Sequence, residues 1–342
     1  MRILLIKPKH IGDSLVLTPT IVALKRARPD AEIWVVVRRG CEGILAGCPE
    51  IHRILTIAGV EKNERRRGEF WRELGIMLRL LSVKFDYAFE LGDGHRARLL
   101  TLFCRSKRFY SVAPASPLKF WERQRFDAVG KLKWGLCHRV EKDFLSVSEF
   151  FDLPQPIPPL RFGREYTREW PPAAGLKQFC VMQIGKRQAA NRWGLKQWEE
   201  VGNYLLEHVG EIVIGTGTNP AEVEEATRLR DRLGPRAIAT LGQADWSQMA
   251  GLLYRARLYV GLDTAAMHLA AACGCPVVAL FGCTHERHWR PWLSPHRIVT
   301  DSDASTLEGE EDMKTVAGRT MTGISPAKVI AACEDLLATT PG

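Results

Sequence analysis

Three polar residues, Asp263, Thr264 and His268, lie close together in a segment that is otherwise apolar. Residues 258–284 read as a strand, a tight turn, a short Ala-rich helix and a second strand. Asp263 or Thr264 would cap this helix. The first N–H groups of such a helix lack intrahelical partners, and beside the end of a strand they commonly bind phosphates. An ordinary buried crossover gives the same pattern, but it does not require polar side chains at the turn.

The run Asp263-Thr-Ala-Ala-Met-His268, with Gly282 after the next strand, resembles the signature of the ADP-heptose:lipopolysaccharide heptosyltransferases, glycosyltransferase family 9. In that family the turn usually reads Asp-Ser/Thr-Gly-x-x-His and holds the donor nucleotide. Ala265 stands where most members have Gly. This departure, together with Trp289-Arg-Pro-Trp292, is closer to the heptosyltransferase III type. The resemblance implies that the donor is bound by Asp263, Thr264, Ala265 and His268.

A second candidate for chemistry is Gly12-Asp13-Ser14, in the loop after the first predicted strand, where Asp13 opens a helix predicted to run to Ala27. A carboxylate there could take the proton from an attacking sugar hydroxyl, or it could simply cap the helix. In the resembled family this loop reads Gly-Asp, and the Asp is the proposed catalytic base. The resemblance therefore favours Asp13 as the base. His10 is the alternative base, and we also expect it near the acceptor.

The resemblance also implies how the donor diphosphate and ribose are held. In the family a Lys usually stands two residues before the Trp that is Trp193 here, but this chain has Asn191 at that position. A leaving diphosphate needs positive charge, which Lys186, Arg187 and Arg192 are close enough in sequence to supply. Glu222, in Pro-Ala-Glu, matches the family's acid that meets the ribose or adenosine. Judged without the resemblance, it is a Glu in the first turn of a helix.

Other cofactor chemistry is poorly supported by the sequence. The first loop has no Gly-x-Gly-x-x-Gly, and the second strand ends in Arg38-Arg39 where a ribose-binding acid would be expected. An NAD dehydrogenase is therefore disfavoured. Asp301-Ser-Asp303 imitates a metal-binding Asp-x-Asp but lies in an acidic loop, and His285-Glu-Arg-His288 lacks the His-Glu-x-x-His spacing. We expect neither a metal nor a cofactor.

The positive charge of the chain is concentrated in its first half. The net charge is +9, and residues 61–143 alone hold nineteen Lys and Arg against eleven Asp and Glu. This indicates an anionic or membrane-associated partner. No helix-turn-helix, RNA-recognition or zinc motif accompanies the charge, so nucleic acid is not expected. The resemblance implies the lipopolysaccharide core as acceptor, and we expect it to be held by His10, Arg96, Arg98, Lys119, Arg123 and Arg125.

The cysteines and the N-terminal residues indicate the cellular compartment of the protein. The nine cysteines are scattered and none forms a zinc-finger pair, which favours reduced thiols. The apolar run before Lys7 is too short for a signal peptide, and no run approaches a membrane span. We therefore expect a cytoplasmic protein, with peripheral contact at the inner face of the inner membrane.

Strands and helices alternate along both halves of the chain, which predicts two parallel sheets covered by helices. A Pro-rich segment near residues 152–172 separates them. We expect an acceptor-binding Rossmann-like domain at residues 1–160 and a nucleotide-sugar-binding Rossmann-like domain at 173–325. A last helix, within 326–342, is expected to pack back on the first domain. Two doubly wound α/β domains of this kind form the GT-B architecture, in which both face a cleft. Residues 113–129 are expected to form a long basic loop.

The reaction that the resemblance implies is an inverting, metal-independent transfer of heptose from ADP-heptose to the lipopolysaccharide inner core. Two alternatives remain open. The donor could be another nucleotide sugar, or the protein could bind an anionic glycolipid without catalysis. Turnover with any nucleotide sugar would separate the enzyme from the binding protein.

Overall fold

The computed structural model describes most of the chain as two compact units, residues 1–161 and residues 162–342. The division falls inside the Pro-rich segment. The backbone of residues 69 and 70 is described without their side chains. The described residues are 1–58, 69–112, 117–132, 137–185, 193–301 and 319–340.

Unit 1 is built on a parallel sheet whose strands are β1 (Arg2–Lys7), β2 (Glu32–Arg38), β3 (Ile51–Ile57), β4 (Lys84–Glu90), β5 (Arg105–Ser111) and β6 (Ala128–Val129). Its helices are α1 (Ile11–Leu15), α2 (Thr18–Ala27), α3 (Glu42–Leu45), α4 (Glu69–Ser82), α5 (His95–Phe103), α6 (Phe120–Arg125) and α7 (Arg139–Ser148). The strand order is β3-β2-β1-β4-β5-β6. The order therefore reverses between β1 and β4, where such sheets open a crevice at their carboxyl ends.

Helices cover both faces of this sheet because its central strands are apolar on both faces. On one face Leu4 and Ile6 of β1 share a core with Leu80 of α4 and Ala97 of α5. On the other face Phe89 of β4 packs against aromatic residues that follow α7. Helices α4, α5 and α6 contact one another in sequence order. Each of these helices follows one parallel strand and precedes the next. The N-terminus of each helix therefore lies near the carboxyl ends of the strands.

Two sequence predictions for unit 1 were wrong. The single helix predicted over residues 13–27 is two helices, since Pro19 lies in the first turn of α2 and favours a new helix start. The predicted basic loop of residues 113–129 contains α6 and β6 within its described part. Periodicity is weak in so short and charged a helix, and α6 is held by contacts with α5.

Unit 2 repeats the same plan. Its parallel strands are β7 (Phe179–Gln183), β8 (Glu211–Gly215), β9 (Ala237–Ala239), β10 (Leu258–Leu262), β11 (Val277–Leu280) and β12 (His296–Val299). The helices are α8 (Leu195–His208), α9 (Pro220–Leu233), α10 (Trp246–Leu253), α11 (Ala265–Ala272), α12 (Glu286–Trp289) and α13 (Pro326–Thr339). The order β12-β11-β10-β7-β8-β9 reverses between β10 and β7. Both units therefore have the Rossmann-like strand order.

The last helix, α13, corrects an expectation. We expected it on the first domain, but it packs on α8 and on β10, β11 and β12 of unit 2. The physical reason is its apolar face: Val329, Cys333 and Leu336 are buried in the core of that unit. Among the helices of the described segments, none has both the length and the apolar composition to cross a membrane.

Candidate functional site

In unit 2 the described residues of the predicted donor site lie at the carboxyl edge of the sheet, where the strand order reverses. Asp263 follows β10, and Ile184 and Gly185 follow β7, its neighbour in the sheet. Ligands of open α/β sheets bind at this place, outside the carboxyl ends of the strands. The predicted donor turn thus lies at the position that the topology itself favours.

The turn from β10 to α11 is partly exposed to solvent. Asp263 donates its backbone N–H to Leu280 O at 3.3 Å, which ties the turn to the neighbouring strand. Thr264 is the N-cap of α11, and Ala265 is the first residue of the helix. All three residues are half-buried. Because the first N–H groups of a helix have no partner inside it, this end of α11 can bind an anion.

His268 lies one turn further along α11 and is buried. Its ring centre lies 5.9 Å from that of Trp289 in α12. This contact links the donor turn to the segment after β11, in which the sequence motif Trp289-Arg-Pro-Trp292 begins. His268 is therefore fixed in place by packing and can hold the turn in shape.

Glu222 reaches the same edge of the sheet from the first turn of α9. It is only 6% exposed, and its Oε2 atom accepts the N–H of Gly217 at 3.2 Å. A Cβ atom at Gly185 would lie 2.3 Å from this oxygen, so a larger residue there would collide with the carboxylate. Glu222 therefore spans the ends of β8 and β7, next to the strand that carries Asp263.

The sequence did not single out Gln183, which ends β7 at the centre of this edge. The residue is buried, and its Oε1 atom lies 2.2 Å from the place of a Cβ atom at Gly215. A polar residue at the end of an apolar strand was the available signal. Four predicted donor residues lie outside the described residues: Lys186, Arg187, Asn191 and Arg192.

In unit 1, Asp13 lies in the helix that follows β1, again at the reversal of strand order. Its Oδ2 atom accepts the backbone N–H of His10 at 3.1 Å, and the residue is half-buried. His10 is the N-cap of α1 and is exposed, and its Nδ1 atom lies 3.5 Å from Nη1 of Arg38. The two candidate bases are thus adjacent, and the carboxylate is oriented by the backbone.

Buried charges surround this edge of unit 1. Lys7, at the end of β1, forms an ion pair with Asp143 of α7, and both side chains are buried. The pKa of Asp143 is raised above its ordinary value, because burial raises it more than the Lys7 ammonium lowers it. The nearby Asp13 carboxylate also raises this pKa. A second pair joins Lys142 Nζ to Asp93 Oδ2 at 3.2 Å. The available signal for these pairs was a lysine that ends an otherwise apolar strand.

The predicted acceptor residues have different environments. Arg96 donates to Ala58 O at 2.8 Å and to Glu73 at 2.5 Å. Arg98 is only 2% exposed, and it is paired with Glu122 at 3.4 Å, so it cannot contact a large acceptor directly. This corrects its assignment to the acceptor: its burial makes it a structural residue that holds α5 against α6.

Three further predicted acceptor residues belong to α6 or cap it. Lys119, Arg123 and Arg125 are exposed. Lys119 is the N-cap, at the end of α6 nearer the carboxyl edge of the sheet. Arg125 lies at the other end, where its Nη2 atom is 3.4 Å from Leu102 O in α5. Lys119 and Arg125 therefore lie at opposite ends of α6.

The described residues of the possible metal motifs contact other protein groups. Glu286 Oε2 is 2.8 Å from Nη1 of Arg319, and His285 and His288 are buried beside it. Asp301 accepts the N–H of Thr320 at 2.8 Å, while Asp303 lies outside the described residues. The segments that the structure describes hold no group of three or more His, Cys, Asp or Glu suited to a metal ion.

The family model of glycosyltransferase family 9 (heptosyltransferase) matches residues 76–316. This match covers more than half of the chain. The chain belongs to glycosyltransferase family 9. It is therefore a glycosyltransferase, and the family assignment made from Asp263 to His268 is confirmed.

Curated family 9 relatives match along most of the chain. Lipopolysaccharide heptosyltransferase 3 of Escherichia coli is 26% identical over 299 residues, 82% of this chain and 83% of the relative. Lipopolysaccharide heptosyltransferase 1 of Pseudomonas aeruginosa is 27% identical over 292 residues, 83% of this chain and 79% of the relative.

Solved structures of family 9 members share the fold. A family 9 glycosyl transferase from Veillonella parvula superposes with a TM-score of 0.81 at 18% identity, covering 99% of this chain and 97% of that one. The E. coli heptosyltransferase WaaC, solved with ADP, gives 0.80 at 16% identity, covering 98% and 100%. The prediction of a GT-B fold with two Rossmann-like domains is confirmed.

Proposed function

We propose that this family 9 enzyme transfers heptose from ADP-heptose to the inner core of lipopolysaccharide, with inversion at the anomeric carbon and without a metal ion. The observation that carries the proposal is that Asp263, Thr264 and Glu222 all lie at the carboxyl edge of the unit 2 sheet. The similarity to a WaaC structure solved with ADP supports an ADP-sugar donor. Similarity to lipopolysaccharide heptosyltransferases 1 and 3 supports the acceptor class.

The donor would be held by hydrogen-bond donors and by a carboxylate, both at the carboxyl edge of the unit 2 sheet. The diphosphate would bind at the N-terminus of α11 and the Thr264 hydroxyl, where backbone N–H groups favour negative charge. Glu222 would accept hydrogen bonds from ribose hydroxyls, since an ionised carboxylate is only an acceptor. Lys186, Arg187 and Arg192 are proposed to add positive charge, and Asn191 is proposed to lie among them.

The chemistry would be a direct displacement. The acceptor hydroxyl oxygen forms a bond to the anomeric carbon while the bond from that carbon to the β-phosphate oxygen breaks. ADP leaves with the electron pair, and the acceptor proton passes to Asp13. Attack opposite the leaving group inverts the anomeric carbon. Charge grows on the leaving diphosphate, so fixed N–H groups and cations there stabilise the transition state.

The anionic acceptor would be held by basic residues of unit 1 that are exposed or half-buried. We propose His10, Arg96, Lys119 and Arg123 as contacts, with Arg125 at the far end of the same surface. Arg98 is left out because it is buried against Glu122. Arginine and lysine suit this role because phosphate and carboxylate groups of a core oligosaccharide accept charge-assisted hydrogen bonds.

Peripheral contact with the inner face of the inner membrane is supported by α4. One face of helix α4 packs on the core of unit 1 through Ile76 and Leu80. On its opposite face, Trp71, Leu78 and Leu81 are 70%, 58% and 47% exposed. These three side chains follow a helical spacing and form one apolar stripe, which we call the α4 stripe. An amphipathic surface with basic neighbours binds to anionic bilayers.

The decisive experiment is a turnover assay with ADP-heptose and a lipopolysaccharide acceptor that lacks the terminal heptose, alongside GDP- and UDP-sugars. We expect product only with the ADP-sugar, with inverted anomeric configuration by NMR and undiminished rate in excess EDTA. Thermal shift with ADP, GDP and UDP gives an independent reading, because a ligand that binds only the native state raises its stability. Turnover only with a GDP- or UDP-sugar would contradict ADP-heptose as the donor.

Two alternatives correspond to specific outcomes of this experiment. Stabilisation and turnover with a GDP- or UDP-sugar would indicate a glycosyltransferase with a different donor. Binding of the acceptor without turnover of any nucleotide sugar would indicate a non-catalytic protein that binds anionic glycolipid. Loss of activity in EDTA and its recovery with Mg²⁺ would contradict metal independence.

A further inference from the structure

The donor turn is underlain by a tyrosine that the sequence motif does not include. Tyr259 lies in β10 and its side chain is completely buried. Gly261, two residues later, lies on the same face of the strand. A Cβ atom at Gly261 would be 2.7 Å from the hydroxyl oxygen of Tyr259 and 2.8 Å from its Cζ. The phenol therefore extends towards the carboxyl end of β10, into space that only glycine leaves free.

At that end two hydroxyl groups lie buried without a conventional partner. Within the described part of the chain, neither the Tyr259 hydroxyl nor the Oγ1 atom of Thr264 makes a hydrogen bond of good geometry. Thr264 is the N-cap of α11, yet its hydroxyl does not cap the helix. Buried polar atoms are nearly always hydrogen-bonded, so two such atoms beside a ligand site require an explanation.

The protonation of the phenol shows what it can do. Burial raises the pKa of Tyr259 well above its usual range, and the Thr264 side chain acts in the opposite direction. The phenol passes Gly261 towards the end of β10, and Thr264 follows that end by two residues, so the two hydroxyls lie at the same end of the strand. The phenol is consequently protonated at physiological pH and keeps one hydrogen to donate. A threonine hydroxyl has one hydrogen and two lone pairs, so it can accept from the phenol and still donate elsewhere.

We propose that Tyr259 is a positioning residue for donor binding: its hydroxyl donates to Oγ1 of Thr264 and directs the Thr264 hydrogen to an oxygen of the nucleotide diphosphate. This inference rests on the proposed donor site. When the ligand binds, the chain from phenol to Thr264 to diphosphate gives a partner to each of the two buried hydroxyls. Hydrogen bonds in such a chain strengthen one another, and the last one has a charged acceptor.

The test is a double-mutant cycle with ADP as the probe, measured by calorimetric titration. Tyr259→Phe removes only the phenol oxygen, and Thr264→Val replaces the Thr264 hydroxyl by a methyl group of similar size. We expect Tyr259→Phe to weaken ADP binding by roughly 3–10-fold, the range of one hydrogen bond. Thr264→Val should weaken it at least as much. Because Tyr259 acts through Thr264, adding Tyr259→Phe to Thr264→Val should have no further effect.

The stability of the ligand-free protein separates positioning from a structural role. Removing a buried hydroxyl that lacks a partner should leave the Tm of ligand-free Tyr259→Phe unchanged or raise it. If Tyr259→Phe lowered both the Tm of the ligand-free protein and its affinity for ADP, the proposal would be overturned. Tyr204→Phe is the matched control, since Tyr204 lies near the C-terminus of α8. We expect it to bind ADP like the wild type.

The outcomes also distinguish this inference from the proposed donor site. Normal ADP binding by Tyr259→Phe, with weakened binding by Thr264→Val, would refute the role of Tyr259 and leave the site intact. Effects that add in the double variant would refute the coupling between the two hydroxyls. Normal ADP binding by both Thr264→Val and Asp263→Ala would refute the donor site itself, and the inference with it.

Discussion

The carboxylate of Asp13 accepts the backbone N–H of His10 at 3.1 Å, so the two candidate bases of unit 1 belong to one helix start. Asp13 is the third residue of α1 and His10 is its N-cap. The bond fixes the carboxylate at the carboxyl edge of the sheet, beside the buried Lys7–Asp143 pair. This bond orients the carboxylate before any ligand binds.

Asp13→Asn tests the base directly. Asparagine keeps the size of the side chain and most of its ability to cap, so α1 should survive. It cannot take the acceptor proton, and general-base catalysis is typically worth about 10²–10⁴-fold in rate. We expect kcat to fall by about that factor, with ADP binding nearly unchanged. Asp30→Asn, at an exposed turn, is the control. Normal turnover by Asp13→Asn with an inactive His10→Ala would identify His10 as the base.

Asp263→Ala tests the donor turn. The backbone N–H of Asp263 holds the turn to Leu280, and alanine retains that bond. The fold should therefore persist while ADP binding weakens by about 1.5–3 kcal/mol, the range for a hydrogen bond with a charged group. Titration with ADP measures the loss, and thermal unfolding checks the fold. Asp231→Ala, on the exposed side of α9, should bind ADP normally. An Asp263→Ala variant with wild-type affinity would exclude the turn from the donor site.

Glu90 should give the stability of unit 1 a defined pH dependence. Burial raises the pKa of Glu90 above its ordinary value of 4.5, although the Ser111 hydroxyl bonds to it at 2.8 Å. The folded protein then holds this proton more tightly than the unfolded chain. The stabilisation is complete below pH 4.5 and is lost as the pH rises through the folded pKa.

Glu90→Gln is neutral at every pH and should remove that dependence. The Tm of the wild type minus that of Glu90→Gln should fall as the pH rises from about 4.5. Asp30→Asn, which changes an exposed carboxylate, should show no such trend. A constant difference between wild type and Glu90→Gln would show that Glu90 has the same pKa in both states.

The buried Lys7–Asp143 pair should be costly to break and cheap to replace. Lys7→Met leaves Asp143 buried without its cation, which typically costs about 3–5 kcal/mol. Replacing both residues, as Lys7→Met with Asp143→Leu, should recover most of this stability, since no charge is then buried. Arg2→Met breaks the exposed pair with Glu32 and should cost about 1 kcal/mol or less. Unfolding by denaturant measures all three, and a double variant no more stable than Lys7→Met would contradict the interpretation.

The α4 stripe should bind anionic bilayers. Leu78→Glu and Leu81→Glu place charge in the stripe without touching the core, because both leucines are exposed. We expect each to reduce co-sedimentation with phosphatidylglycerol vesicles by about tenfold and to leave ADP binding unchanged. Leu293→Glu changes an exposed leucine of unit 2 and is the control. Equal sedimentation of the wild type and the stripe variants would exclude this surface.

The sequence determined the class of fold and the family. Strands such as β1 and β10 are continuous apolar runs, and local composition is sufficient to recognise them. The turn from Asp263 to His268 was recognised from its residue types, and with it the family. The helix α6 and the place of α13 were missed, because both depend on contacts with distant elements and not on local pattern.

Tertiary structure decided which residues meet. Glu222 and Asp263 are far apart in sequence, but parallel pairing of β7 with both β8 and β10 brings their strand ends to one edge. The same holds for Lys7 and Asp143, whose ion pair no spacing rule could predict. Arg98 looked like an acceptor residue by charge, and only its burial against Glu122 showed a structural role. Composition fixes the charge of a side chain, whereas its solvent exposure and its partners depend on the packing of the whole unit.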